Sequence, residues 1–342
     1  MIGRLLYNLN LLLVTFILLV ILAVSGLYFW LSQDLPQLPK NLQHINLSLP
    51  TEIYSRDGER IKILGERHPI ALEDISPFFI KAIIAVEDAR FYSHSGIDHR
   101  GLLRALLTNI RKKRISQGGS TITQQLSKNL FFSFERNWVR KIKELLISFQ
   151  LEATFNKDQI LEAYCNQIYF GSGAYGVEEA AHVYFRKRAK DMTVLQAALL
   201  AGLPNSPNNA NPFSHYERAI QRAEYVLNRM VSENLISSEE KESALQSNID
   251  LSIPRVDSDP NLYFVDQVLE QIERDYGKEF VHFGGLKILT TLDTNYQELA
   301  YKGARNHLEA LESKIIKERG TPPLQAALVE GPKVHLARLL LV

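Results

Sequence analysis

Cysteine is almost missing from this sequence. Cys165 stands alone among 342 residues, which excludes an internal disulfide framework and a zinc site built from several cysteines. Between Tyr164 and Asn166 on an expected helix, it reads as a core thiol. An excess of charge is missing too: 39 Lys and Arg residues nearly balance 38 Asp and Glu. The composition therefore gives no argument for nucleic acid as a partner, and any basic site must be local. There is no internal repeat or low-complexity block, and the Gly-Lys-Ser/Thr ending of a phosphate-binding Walker loop does not follow the Gly118-Gly119 pair. A chain of this length is expected to hold one substantial globular domain plus accessory segments.

Charge is also absent over residues 5–33. Within that stretch, residues 9–31 are long enough to cross a bilayer core of ~30 Å at ~1.5 Å per helical residue. Arg4 precedes the run and Asp34 follows it, while Tyr28, Phe29 and Trp30 sit where an aromatic belt belongs. A cleaved signal peptide is the rival reading, but the run is long for one and Ala23-Val24-Ser25 is a poor cleavage site. The expected organisation is a cytoplasmic tail over residues 1–8, one transmembrane helix over 9–31, and a stalk over 32–50 carrying Pro36, Pro39 and Pro50. The bulk of the chain then lies outside the cytoplasm.

A domain over residues 51–245 comes next, mainly α with a short N-terminal β-hairpin around Asp57-Gly58. Ser76 and Pro77 open a helix ending near Glu87, with serine as N-cap and proline at the first helical position. Leu102, Leu103, Leu106, Leu107 and Ile110 keep helical spacing and run into Arg111-Lys112-Lys113-Arg114. Ile142, Leu145, Leu146 and Phe149 mark another amphipathic helix, expected to turn that face inward. Residues 160–169 and 194–203 look helical as well. Beyond 245, residues 286–292 alternate like a strand and 295–317 return to helical character.

Three clusters carry chemistry. The first runs from Glu87 and Asp88 through Phe91 and His94 to Gly96 and Asp98. A carboxylate at a helix C-terminus faces the negative end of the dipole, so its proton affinity rises, which suits a general base; a solvated acidic cap is the bland alternative. The second runs from Gly118 to Asn129. Paired glycines let backbone amides approach a ligand, and Ser120, Thr121, Gln124, Gln125, Lys128 and Asn129 supply groups suited to sugar and phosphate oxygens; a polar helix start capped by Ser120 or Thr121 is the alternative. In the third, Arg140 and Lys141 lie one turn before Glu144, so cations and a carboxylate share the flank away from Ile142, Leu145 and Phe149. Such a flank can hold a diphosphate, although an exposed salt-bridged helix face is commoner.

Together, in this order and spacing, the three strings resemble the peptidoglycan glycosyltransferase family, the glycan-polymerising module of class A penicillin-binding proteins, with its lysozyme-like fold. Lys157, Ile160, Leu161, Glu162, Tyr164, Asn166 and Gly171 fit the family's fourth motif, and Arg222, Val226, Leu227 and Met230 part of its fifth. Two positions depart: Ala223 stands where a second arginine is usual, and Cys165 replaces a leucine. Residues 246–342 resemble the linker that leads toward a transpeptidase domain, incomplete here, and the S-x-x-K, S-x-N and K-T-G set does not occur in order.

The resemblance implies polymerisation of lipid II with inversion at the anomeric carbon and release of undecaprenyl diphosphate. Glu87 is then the catalytic base and Glu144 the second catalytic carboxylate, positioning the cations, assisting proton delivery or holding a divalent ion that bridges the diphosphate. Asp88, Phe91, His94, Ser120, Thr121, Gln124, Gln125, Lys128, Asn129, Arg140, Lys141 and Arg222 are the expected substrate-binding residues. A divalent cation, magnesium or manganese, is compatible with Glu144 without being required. The implied partners are lipid II, the growing glycan strand and the bacterial inner membrane, with other cell-wall synthesis proteins admissible. The single-pass anchor puts the catalytic domain on the periplasmic or extracellular side. A lysozyme-like glycan hydrolase and a non-catalytic scaffold are the alternatives. The apolar stretch from Leu130 to Trp138, with Phe131, Phe132 and Phe134 beside Arg136, is expected at the membrane interface, with packing of these rings into the domain core as the alternative.

Overall fold

The computed structural model describes residues 2–39, 42, 50–65, 67–112, 118–132, 138–207, 209–252, 260–277, 281, 285–319 and 338–340. Lys113, Arg114, Phe134 and Arg136, all named above, lie outside them. In chain order the elements begin with α1 (Ile2–Ser32), β1 (Thr51–Tyr54), β2 (Arg60–Leu64), α2 (Pro77–Glu87), α3 (His99–Lys112), α4 (Ile122–Phe131) and α5 (Trp138–Thr154). Then come α6 (Lys157–Gln167), β3 (Tyr169–Gly171), β4 (Ala174–Tyr175), α7 (Val177–Phe185), α8 (Val194–Gly202) and α9 (Tyr216–Ser232). The last are α10 (Ser238–Gln246), α11 (Leu262–Tyr276), β5 (Lys287–Leu289), α12 (Thr294–Arg319) and β6 (Arg338–Leu340). The chain divides into two compact units, residues 1–42 with 90–161 and residues 43–89 with 162–342.

The first unit is helical. In α5 the buried stripe is Glu144, Ile147, Ser148 and Leu151, spaced i, i+3, i+4, i+7. It packs on α4, whose Ile122 and Leu126 are fully buried. The hydroxyls of Ser127 and Ser148 both donate to the Glu144 carbonyl, at 3.0 and 2.6 Å. This corrects the expected orientation of α5: Ile142 and Phe149 are 40% and 45% exposed, while Glu144 is buried. The stripe that fits against α4 is the one with a single small hydroxyl, Ser148, between Ile147 and Leu151. On α3, Leu102, Leu103 and Ile110 are exposed as well.

Helix α1 begins at Ile2, so the expected tail over residues 1–8 is mostly helical and continuous with residues 9–32 of the same helix. Taken over the described residues alone, no helix is long and apolar enough to cross a membrane. The segment after α1 runs beside the far end of α5: Lys143 Nζ meets Asp34 Oδ2 at 3.4 Å, and Leu35, Pro36 and Leu38 line a shallow cavity with Ala153 and Thr154.

The second unit has an α core and a small sheet. Pro77 occupies the first turn of α2 and Ser76 its N-cap position, yet the serine makes no side-chain cap bond. Its hydroxyl instead donates to the Met192 carbonyl at 3.1 Å, tying the start of α2 to the start of α8. Helix α8 is buried from Leu195 to Gly202 and lies against α2 and α9. Thr193 and Gln196 form a capping box at its start. Gly202 is required there: a Cβ would come within 2.7 Å of Arg222 Cγ on α9.

The expected hairpin is present, β1 against β2 with a bulge at Ile53/Tyr54. The sheet order is β2-β1-β5-β6, with β5 parallel to β1. Ile53 and Leu64 of the hairpin share a core with Val265, Val268, Leu286, Ile288 and Leu292. The hairpin therefore packs with residues beyond 260, although the sequence groups it with the domain over 51–245.

Candidate active site

Helix α2 ends at Glu87 because Asp88 leaves the helical region, with φ −158° and ψ 74°, while its N–H still closes on the Ile84 carbonyl. Ile83 and Ala85 face the core, which leaves the half-buried Glu87 at the rim of the second unit. Asn205, in the loop after α8, donates from Nδ2 to Glu87 Oε1 at 2.7 Å. The neighbouring Asp88 is buried. Tyr164 of α6 has no exposed surface, and burial followed by the charge of Glu87 holds its phenol well above the usual range.

The fourth-motif residues in this unit do structural work. Asn166 clasps the backbone of Ile70 with both ends of its amide, at 3.1 and 2.8 Å, and Glu162 accepts from Leu72 N at 2.9 Å. Arg222 donates to the Gly202 carbonyl at 3.2 Å and lies over the Tyr225 ring at 4.8 Å. Ala223, where the family usually has arginine, is fully buried in this chain and belongs to the core. Cys165 is buried as expected, and burial pushes its thiol well up.

The first unit holds the cations. Glu144 is 1% exposed; its Oε1 meets Arg140 Nη1 at 3.0 Å and its Oε2 meets Lys141 Nζ at 2.9 Å. Lys141 also reaches Ser120 Oγ at 3.3 Å, which links the second cluster to the third. Both carboxylate oxygens thus face cations. Among the described residues no group of three His, Cys, Asp or Glu side chains gathers that could hold a metal. This donor set fits a clamp for two cations better than a site for a divalent ion. Lys128 and Asn129 are exposed near the end of α4, and Gln125 is half-buried.

Other expected binding residues make contacts within the first unit. Thr121 caps α4 by accepting from Gln124 N at 3.2 Å, and its hydroxyl donates to the Gly96 carbonyl at 2.7 Å. Gln124 Nε2 donates to the same carbonyl at 3.3 Å. Phe91 is fully buried and so, as packed, offers no surface to a ligand; its ring stands edge-on to that of the buried His94 and beneath Lys157 Nζ, 4.4 Å from the centroid. Glu152 Oε1 accepts from both Thr123 and Lys157, at 2.6 and 2.7 Å. These contacts tie the first cluster to α4, α5 and the start of α6. Sequence reading passed over Asn205 and gave Glu152 no role of its own. For Asn205 the local signal is a polar residue in the Leu203-Pro204-Asn205-Ser206-Pro207 turn.

Each unit thus presents its own chemistry: a carboxylate at a helix end in the second, and two cations held by a buried carboxylate in the first. Residues 57–231 match the family described as Transglycosylase, and the chain belongs to that family. Penicillin-binding protein 1A from Aquifex aeolicus is 43% identical over 83% of this chain and 39% of its own length. The protein of that name from Neisseria flavescens is 37% identical over 83% of this chain and 38% of its own. Among solved structures, penicillin-binding protein 1A from Haemophilus influenzae aligns with 84% of this chain and 33% of its own, at 27% identity and a TM-score of 0.40. The chain spans about two-fifths of the length of the curated relatives it matches.

Proposed function

We propose that this chain is a peptidoglycan glycosyltransferase that extends glycan strands from lipid II on the outer face of the bacterial inner membrane. Glu87 takes the proton from the acceptor's 4-hydroxyl as that oxygen bonds to the donor's anomeric carbon. The bond from that carbon to the diphosphate breaks on the opposite face, so the anomeric centre inverts and undecaprenyl diphosphate leaves. Negative charge grows on the leaving group, where Arg140, Lys141 and Lys128 stabilise it. Glu144 acts as a positioning carboxylate for the first two, and the scheme needs no divalent ion. Ser120, Gln125 and Asn129 supply sugar and phosphate contacts, and the lysozyme-like fold is the expected scaffold.

The observation that carries this reading is the buried Glu144 holding two cations. A hydrolase acting on finished glycan has no diphosphate to neutralise, so such a clamp favours the transferase over the lytic alternative. We also read α1 as the membrane anchor. Its 31 residues extend ~46 Å at ~1.5 Å per residue, its sequence is uncharged from residue 5 onward, and every side chain from 11 to 22 is exposed. The test is polymer formation from lipid II by this chain and by Glu87→Gln. Polymer from the wild type and none from the variant is expected; shortening of preformed strands without synthesis would reverse the assignment.

A further inference from the structure

We propose that Asn205 is a positioning residue for Glu87: its amide holds the carboxylate in one rotamer and keeps it ionised as a base at neutral pH. The inference rests on the assignment of Glu87 as base. Two features flank Glu87 at the end of α2. The helix C-terminus presents its carbonyl end, and the buried Asp88 adds a second carboxyl next door. Both features disfavour the charged form of a nearby carboxylate. A donor on the charged form acts the other way, and Asn205 Nδ2 supplies one at 2.7 Å to Oε1.

Asn205 is itself exposed, so its position must come from the loop that carries it. That loop is tightly held. Ser206 N donates to the Leu203 carbonyl at 2.8 Å and Ala210 N to the Ser206 carbonyl at 2.9 Å, two backbone bonds that meet at Ser206. Asn211 Nδ2 donates to Ser172 Oγ at 2.9 Å. Ser172 sits at φ +50°, between Gly171 at +88° and Gly173 at +77°, a run of left-handed backbone that lays the β3–β4 turn against the loop. The buried Tyr184 braces the same turn through the Phe170 carbonyl at 3.0 Å and stacks on Phe213 at 5.0 Å. A strained turn and a buried phenol thus fix the backbone of a residue whose side-chain amide reaches the proposed base.

The experiment is the pH dependence of lipid II polymerisation by the full chain, with Asn205→Ala, Asn205→Asp and Glu87→Gln beside the wild type, and thermal unfolding as a folding control. Loss of one hydrogen bond to a partly solvated carboxylate should move the acidic limb of the kcat profile up by roughly 0.4–1 pH unit in Asn205→Ala. Asn205→Asp should move it further, because a second negative charge replaces the donor. KM for lipid II should change less than kcat. If Asn205→Ala loses activity with the acidic limb unmoved, or behaves as wild type throughout, the positioning role is overturned. Where Asn205→Ala unfolds, Asn205→Asp decides on the same criterion. Polymerisation by Glu87→Gln would instead remove the base assignment, and this proposal with it.

Discussion

Replacing Glu144 by glutamine tests whether the cation clamp serves catalysis or only stability. The substitution keeps the volume of a side chain that is 1% exposed and removes its charge. Arg140 and Lys141 then lose their counter-ion at 3.0 and 2.9 Å. Breaking a fully buried pair costs about 3–5 kcal/mol and an exposed one about 0.2–1 kcal/mol. Here the carboxylate is buried while the arginine and lysine side chains are 21% and 47% exposed, so water recovers part of the loss. We expect about 1–3 kcal/mol of destabilisation, or a Tm lower by roughly 2–8 °C per kcal/mol, the span for domains of about 60–250 residues. The effect on rate should be larger in proportion. Two cations freed from their fixed geometry no longer meet the leaving diphosphate without reorganisation, and loss of one such preorganised contact slows a reaction about a hundredfold. The assay is the initial polymerisation rate at saturating lipid II beside a thermal melt. A variant that melts lower but polymerises at the wild-type rate would show the clamp to be structural, and the diphosphate role of Arg140 and Lys141 would fall with it.

Gly171→Ala should destabilise the second unit by roughly 1–3 kcal/mol, because its φ is +88° and a Cβ would lie 2.8 Å from the Pro207 carbonyl oxygen; a melting temperature equal to wild type would contradict that geometry. Cys165 should resist thiol reagents in the native chain at pH 8 and react on unfolding, since it is fully buried with its thiol pushed up; rapid native labelling would place it at the surface. Tyr164 and Tyr184 give a pH prediction, as burial holds both phenols above their ordinary value of 10.0. The folded state then keeps protons that the unfolded state loses, so stability is full below about pH 10 and declines as pH rises beyond it. Tyr184→Phe should flatten that alkaline decline in a series of melts, and an unchanged slope would count against the assignment.

Local rules carried the elements whose causes are local. Thr121 caps α4, Pro77 opens α2, and the Asp57-Gly58 turn closes β1 on β2. What escaped was set by distance or by symmetry of pattern. The bond from Asn205 to Glu87 joins residues 118 apart, and that from Leu286 N to Thr51 Oγ1 joins residues 235 apart. No periodicity in either segment points to its partner. Helix α5 shows the second limit. Ile142, Leu145, Leu146 and Phe149 have the same helical spacing as Glu144, Ile147, Ser148 and Leu151, and apolarity alone favours the first set. Packing chose the second, because Ser148 and Glu144 find partners within the unit that a purely apolar stripe does not need. Glu144 was legible as chemistry, therefore, but not as a buried residue.

The stripe that packing left outside carries a final prediction. Trp138, Ile142 and Phe149 are 87%, 40% and 45% exposed and lie i, i+4, i+11 along one side of α5, while Leu102, Leu103 and Ile110 are exposed on α3. All belong to the unit that also contains α1. Large apolar side chains left in water forgo about 1.5–3 kcal/mol each, and a contiguous set of them marks an interaction surface. A bilayer interface is the occupant the proposed substrate demands, because a prenyl chain drawn out of the membrane loses about 25 cal/mol for every Å² it exposes. The chain has two tryptophans, Trp30 and Trp138. Trp30→Phe leaves Trp138 as the only indole, so the full chain can be reconstituted in vesicles containing lipids brominated at graded depths. If α5 lies at the interface, fluorescence from Trp138 should be blue-shifted from that of free tryptophan in water, and should be quenched most strongly by bromines near the head groups. Trp138→Ser with Ile142→Ser should lower polymerisation from vesicle-borne lipid II more than from short-chain lipid II in solution. Emission as red as free tryptophan, with no quenching at any bromine depth, would put α5 in water and leave its exposed stripe to some other partner.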